Sequence, residues 1–285
     1  MRLDAHVHCV EGAADPVRLL CEMRAARLDG GCVISIPPRF WRKGKLVALP
    51  AAERLERLLA VTRGQPTLFP LFWVDPTEPD AVRQVEHAAD AGAAGFKVIC
   101  SAHAPDDPRA LPVYRAIATR NKPVLFHSGI LWDGRASSAY NRPAAFEPLL
   151  DVPRLRFALA HMSWPWLDEC LAVFGKFQNA LSVRDDVAEM FIDLTPGTPP
   201  IYREEALTKL FKIGYDVANS VLFGSDANDS AYNVKWSLEW QERDQSILDR
   251  LGIGADVAAN YFGVNLQRWL SGARAAWRPP LAGQS

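Results

Sequence analysis

Four of the six histidines in the 285-residue chain, His6, His8, His127 and His161, stand in or at the downstream ends of short apolar runs, and Asp226 does the same. His127 closes Val124-Leu125-Phe126, and Asp226 follows Leu222-Phe223-Gly224-Ser225. Both segments are too apolar for solvent-facing loops, so each polar group needs a buried partner or an ion. Two imidazoles on one strand face, roughly 6–7 Å apart along the strand, converge on one ion if His8 is at the strand end. His6, His8, His127 and Asp226 are thus candidates to share one divalent metal. Nitrogen and oxygen ligands without thiolates suit zinc, manganese or iron, and zinc is the first expectation. The competing reading of His6 and His8 is a pair of hydrogen-bonded core histidines.

Such an ion lowers the pKa of a bound water to about 7, which supplies a nucleophile at neutral pH. Asp226 would then both ligate and accept the proton, and hydrolysis of a C–N or C–O bond follows. Non-oxidative decarboxylation of an unsaturated or aromatic acid uses the same ligands, and a non-catalytic metal-binding module is a third class. His161, after Phe157-Ala158-Leu159-Ala160, can bind a second ion, act as acid/base or polarise a carbonyl; an unligated catalytic role is favoured. Lys97 has three readings: carboxylated to bridge two metals, bound to an anionic substrate, or buried in an ion pair. Trp132, Trp164 and Trp166 with Arg135 and Arg142 suit a planar, carboxylate-bearing substrate by stacking and ion pairing, or serve lid and core packing.

These residues need a frame that brings them together. Apolar runs at 3–8, 32–36, 68–74, 95–100, 123–127, 156–161, 190–194 and 221–224 start about 27 to 36 residues apart, the length of a βαβ unit. Amphipathic stretches lie between them, at 16–28, 52–62, 80–91, 165–174 and 203–213. Eight alternations favour a closed parallel barrel over an open doubly wound sheet. The position of the polar residues decides between them, because barrel enzymes carry their chemistry on the C-terminal rim of the strands. The apolar residues of the first strand, Leu3, Ala5 and Val7, are expected to meet the helices, opposite Asp4, His6 and His8. Irregular segments at 37–48, 101–108, 130–143 and 195–201 would overhang the rim and wall a pocket with Trp41, Trp132, Arg135, Tyr140 and Arg142.

Asp4-Ala5-His6-Val7-His8, Gly95-Phe96-Lys97, His127-Ser128-Gly129, His161 and Gly224-Ser225-Asp226 together resemble the amidohydrolase superfamily. The likeness is to its amidohydrolase-related branch, which includes aminocarboxymuconate-semialdehyde decarboxylase-like enzymes, and it runs from residue 4 to about residue 270. The resemblance implies a single (β/α)8 TIM barrel, metal ligands at His6, His8, His127 and Asp226, and a catalytic His161. Only Met1–Leu3 precede Asp4, so the β-sandwich of many superfamily hydrolases is not expected. That argues against the dihydroorotase or urease type and against a binuclear centre on carboxylated Lys97.

Composition bounds the partners. With 32 basic and 33 acidic residues and 49% hydrophobic content, the chain has one large core and no basic block for nucleic acid or anionic membrane. A small-molecule substrate is expected, and a homo-oligomer is left open. The five cysteines are odd in number and form no C-x-x-C pair, so reduced, mostly buried thiols are expected. Polar residues interrupt the first apolar run and no run reaches membrane-spanning length, which predicts a soluble, cytoplasmic protein of one domain over residues 1–285. A mobile tail is expected from Arg274.

Overall fold

The computed structural model describes residues 1–10, 14–43 and 45–273; the expected tail from Arg274 and the side chain of Trp41 lie outside the described residues. The strands are β1 (Leu3–His8), β2 (Gly30–Ile34), β3 (Arg39–Arg42), β4 (Lys45–Ala48), β5 (Leu68–Trp73), β6 (Gly95–Val98), β7 (Pro123–Phe126), β8 (Arg156–Leu159), β9 (Glu189–Asp193), β10 (Val221–Leu222) and β11 (Ala227–Asn228). The helices are α1 (Pro16–Ala25), α2 (Ala51–Thr62), α3 (Ala81–Asp90), α4 (Ala110–Thr119), α5 (Leu167–Val183), α6 (Pro200–Lys212), α7 (Val234–Arg250), α8 (Ala255–Ala259) and α9 (Asn265–Ser271). Local chemistry sets several helix starts: the Asp15 carboxylate accepts from Val17 N ahead of Pro16, and the Asn233 side chain accepts from Trp236 N.

All pairings in the main sheet are parallel, in the order β10-β9-β8-β7-β6-β5-β2-β1-β11. β10 and β11 are two halves of one eighth strand. The first half pairs with β9 and the second with β1, while Ala5 N donates to Phe223 O at 2.8 Å, so the curled sheet closes. This is the expected α/β barrel. Two local expectations are corrected. The segment 37–48 is not irregular, because β3 and β4 form an antiparallel hairpin. After β7 two 3₁₀ segments, Ser138–Asn141 and Pro143–Asp151, stand where an α-helix would complete the alternation; Pro143 and Pro148 remove backbone donors there.

Two apolar clusters fill the molecule. The outer one joins the strands to the helices and includes Val33, Phe96, Val124, Phe157 and Ile192. The inner one takes the alternate strand positions Cys32, Ile34, Leu71, Leu125, Ala158, Phe191 and Leu222, with Leu266 and Trp269 of α9. Leu3 and Ala5 belong to the inner cluster, and only Val7 joins the outer one, contrary to the simple alternation expected for β1. The reason is a shift in the β1–β2 register between Asp4 and Val7. The irregularity turns Asp4 to Tyr232 and Ser225 rather than to the histidines: its Oδ2 accepts from the Tyr232 hydroxyl at 2.7 Å and its Oδ1 from Ser225 N at 2.9 Å.

The helical layer is pinned by a buried ion pair. Arg203 of α6 donates through Nε and Nη2 to both oxygens of Asp244 on α7, at 2.8 and 2.7 Å, with both side chains at most 1% exposed. Nη2 also reaches Leu194 O, and the Tyr261 hydroxyl donates to Asp244 Oδ2 at 2.6 Å. Removing one partner of such a pair leaves a buried charge uncompensated. Asp244→Ala is expected to lower stability by about 3–5 kcal/mol, read by denaturant unfolding; a change under about 1 kcal/mol would show that the pair contributes little.

Candidate active site

His6 is the most constrained of the chemistry-bearing residues. It is fully buried, and its Nδ1 lies 2.8 Å from Asp193 Oδ2, also fully buried. The other Asp193 oxygen accepts from Thr195 N at 2.7 Å and from the Thr195 hydroxyl. Asp193 can accept but not donate when ionised, so the His6 proton sits on Nδ1 and the Nε2 lone pair faces the barrel mouth. Burial, then the Lys97 charge, hold His6 well below its ordinary pKa, which keeps it neutral and able to ligate. Gly224 makes this approach possible: a Cβ there would stand 2.1 Å from Thr195 Oγ1 and 2.8 Å from His6 Cβ.

Around the His6 lone pair the structure gathers two further donors. His8 Nε2 lies 3.1 Å from His6 Nε2, and Asp226 Oδ1 lies 3.2 Å from His8 Nε2 and 3.8 Å from His6 Nε2. Asp226 reaches this position because the eighth strand breaks between β10 and β11 and its φ is 59°. Burial pushes the Asp226 carboxyl up, but the His8 hydrogen bond and the fields of His6 and His161 win and hold it well below the carboxylate range. Two imidazole nitrogens and a carboxylate oxygen, with one nitrogen fixed as an acceptor, form a donor set that fits a divalent cation.

His127 is not in that close group. Its Nε2 donates to Ile130 O at 3.2 Å, which leaves Nδ1 as the acceptor, and its ring lies 5.0 Å from that of His161. The His161 ring in turn lies 5.3 Å from His6, so the four imidazoles share one rim. His161, Met162 and Ser163 follow β8 with φ of 61°, 48° and 58°, a run of left-handed residues that costs roughly 1–3 kcal/mol at each position. The Ser128 hydroxyl, 2.7 Å from Ser163 Oγ, ties this turn to the segment after β7. His161 Nδ1 is buried without a hydrogen-bond partner, and burial lowers the pKa of the ring. Lys97 is buried, its Nζ 3.4 Å from His6 Nε2, and burial pushes its pKa down to about 8. No carboxylate among the described residues is within ion-pairing distance of it, which corrects the reading of Lys97 as an ion-pair partner.

A cavity of about 440 Å³ opens over these groups. Lys97, His127 and His161 line it with the three-donor group, and Ile130, Leu131, Trp132, Trp164 and Pro196 make apolar walls. Trp132 and Trp164 thus line the cavity. Arg135 and Arg142 are not among the lining residues: the Arg142 guanidinium is held 2.5 Å from Glu169 and lies over the Trp166 ring, and Arg135 is exposed. Sequence reasoning missed Asp193, although it ends Phe191-Ile192 as Asp226 ends its own run; it was hidden inside an apolar segment. It also missed Asp133 in the cavity wall.

Asp193→Asn tests the orienting bond. The Thr195 donors require the amide oxygen on their side, so the amide nitrogen would face His6 Nδ1 and force the proton to Nε2. Zinc affinity, measured by competition with a chromogenic chelator, is expected to fall about 10–100-fold with the fold retained by circular dichroism. Unchanged affinity would remove Asp193 from this role.

The amidohydrolase family model matches residues 36–282, beginning after the strand that carries His6 and His8 rather than at residue 4. No curated protein matches the chain in sequence. Among solved structures, an amidohydrolase of Burkholderia multivorans with bound HEPES superposes with a TM-score of 0.64 at 12% identity, over 95% of this chain and 99% of that one. Amidohydrolase 2 from Bifidobacterium longum subsp. infantis gives 0.57 at 14% identity over 94% and 98%. The dihydroorotase of Campylobacter jejuni gives 0.60 at 15% identity over 97% and 84%. At these identities the likeness is one of fold, and the family match covers most of the chain. With the barrel closed and the histidines and Asp226 gathered on one rim, the chain belongs to the amidohydrolase superfamily, in its amidohydrolase 2 branch, and is an enzyme of the metal-dependent hydrolase kind.

Proposed function

We propose that the protein hydrolyses a C–N or C–O bond of a small substrate with one bound zinc ion. The observation that carries this reading is the convergence of His6 Nε2, His8 Nε2 and Asp226 Oδ1 within 3.1–3.8 Å at the floor of an apolar-walled cavity. His127 offers Nδ1 as the remaining ligand, since Ile130 O takes its other nitrogen. When bound, the ion supplies Lewis acidity and an acidified water.

The chain's own residues supply the remaining chemistry. Asp226, charged and partly open to the cavity, receives a proton at its carboxylate. His161 is neutral, rigidly held and unpartnered at Nδ1, and serves the leaving group as acid/base or polarises the scissile carbonyl. Lys97 places a cation beside His6 for developing negative charge. Trp132 and Trp164 shape an aromatic or apolar recess for the substrate body.

Purified protein is expected to carry about one zinc per chain by elemental analysis. Against a panel of esters, lactones and amides, His161→Asn should keep that ion and lose about 10²–10⁴ in turnover, whereas Asp226→Asn loses both turnover and part of the metal. An empty site in His161→Asn, or two ions per chain, contradicts the assignment. Carbon dioxide release with no water-dependent product assigns the site to decarboxylation.

A further inference from the structure

The peptide that carries Asp226 is held from outside the cavity. Ser225 is fully buried, and its carbonyl, in the peptide that joins it to Asp226, accepts from Trp236 Nε1 at 2.9 Å. The other side of Ser225 is held by Asp4, whose Oδ1 accepts from Ser225 N at 2.9 Å, and Ala227 N donates to Ser225 Oγ at 3.2 Å. Trp236 stands in the first turn of α7, where Asn233 Oδ1 accepts from its backbone N at 3.0 Å. Its ring packs edge-on against Trp240, with centroids 5.5 Å apart, and the Arg203 guanidinium lies over the Trp240 ring. The indole N–H is thus presented by a helix that the Arg203–Asp244 pair already anchors. Trp236 itself does not line the cavity.

Asp226 needs such a hold. Its φ of 59° is a strained conformation for a residue other than glycine, and it persists only where the surroundings fix it. The Ser225–Asp226 peptide is one of the planes that define this angle. A buried carbonyl without a donor is costly, so loss of the indole N–H favours rotations that give this oxygen another partner. Such rotations carry the Asp226 carboxylate away from the two imidazoles. We infer that Trp236 is a positioning residue for metal binding: its N–H sets the Ser225–Asp226 peptide and thereby holds Asp226 Oδ1 at 3.2 Å from His8 Nε2. This rests on the zinc-hydrolase reading of the site and adds to it a residue outside both the donor set and the cavity.

Two substitutions separate the N–H from the ring. Trp236→Phe keeps an aromatic ring and removes the donor. Trp236→His keeps a five-membered ring, with Nε2 in the place of the indole nitrogen, and removes the fused benzene ring. Zinc dissociation constants are measured by competition with a chromogenic chelator, in the otherwise unchanged protein and in Asp226→Ala, with folding followed by circular dichroism. Trp236→Phe is expected to weaken zinc binding about tenfold or more, and Trp236→His to recover most of that loss. In the Asp226→Ala background Trp236→Phe should have no further effect, because the group it positions is gone. If Trp236→His does not fold, that cycle decides alone. Unchanged affinity in Trp236→Phe, equal weakening by Phe and by a folded His variant, or an undiminished loss in the Asp226→Ala background overturns the inference and leaves the zinc site in place. Failure of the unsubstituted protein to bind zinc overturns the metal-hydrolase reading and the inference with it.

Discussion

The hydrogen bond between His6 Nδ1 and Asp193 Oδ2 is the constraint on which the site depends. It joins β1 to β9 across the barrel interior, at positions that water does not reach. In that setting an unpaired carboxylate or a misdirected imidazole is costly, so the bond selects one tautomer and one ring orientation. Thr195 holds the far oxygen of Asp193, and Gly224 leaves the room that Thr195 and His6 need. A single small residue on the eighth strand thereby permits the placement of a polar group on the first. The lone pair that results is the point around which His8 and Asp226 assemble.

Barrel closure and site construction are the same event. The eighth strand would be continuous if closure were its sole task, yet it pairs with β9 through Val221–Leu222 and with β1 through Ala227–Asn228. Between those halves Ser225 bonds Asp4, and Asp226 takes a left-handed conformation that turns its carboxylate to the histidines. Asp4 is thus a closure residue, bound to Ser225 and Tyr232, rather than a member of the donor set. The turn at His161 follows the same logic after β8. Strained backbone there is held by packing against Gly197 and by the Ser128–Ser163 contact, as expected where rigidity outweighs the local cost.

The cavity combines charges of opposite sign within apolar walls. Lys97 lies beside His6 at the cavity floor, and Asp133 lies in the wall. Low-dielectric surroundings enlarge both effects. Specificity therefore need not come from the arginines that flank the loops, one of which is taken up by Glu169 on α5.

Much of this was legible in the chain because barrel strands end in the residues that do the chemistry. Runs such as Val124-Leu125-Phe126 before His127 and Phe157-Ala158-Leu159-Ala160 before His161 mark strand ends by hydrophobicity alone, and eight of them at βαβ spacing imply the rim. Trp132 was legible as a wall residue for a related reason, since loops after strands overhang that rim. The parts that only the tertiary structure decided involve long-range partners or broken periodicity. Asp193 sits within an apolar run, and nothing local tells that its partner is His6, 187 residues away. The register shift in β1 sends Ala5 inward and Asp4 to Tyr232, against the period-two alternation that a strand predicts. Arg142 leaves its expected place in the pocket wall for a similar reason: loop side chains have no periodicity, so its partner, Glu169, follows from how neighbouring loops pack.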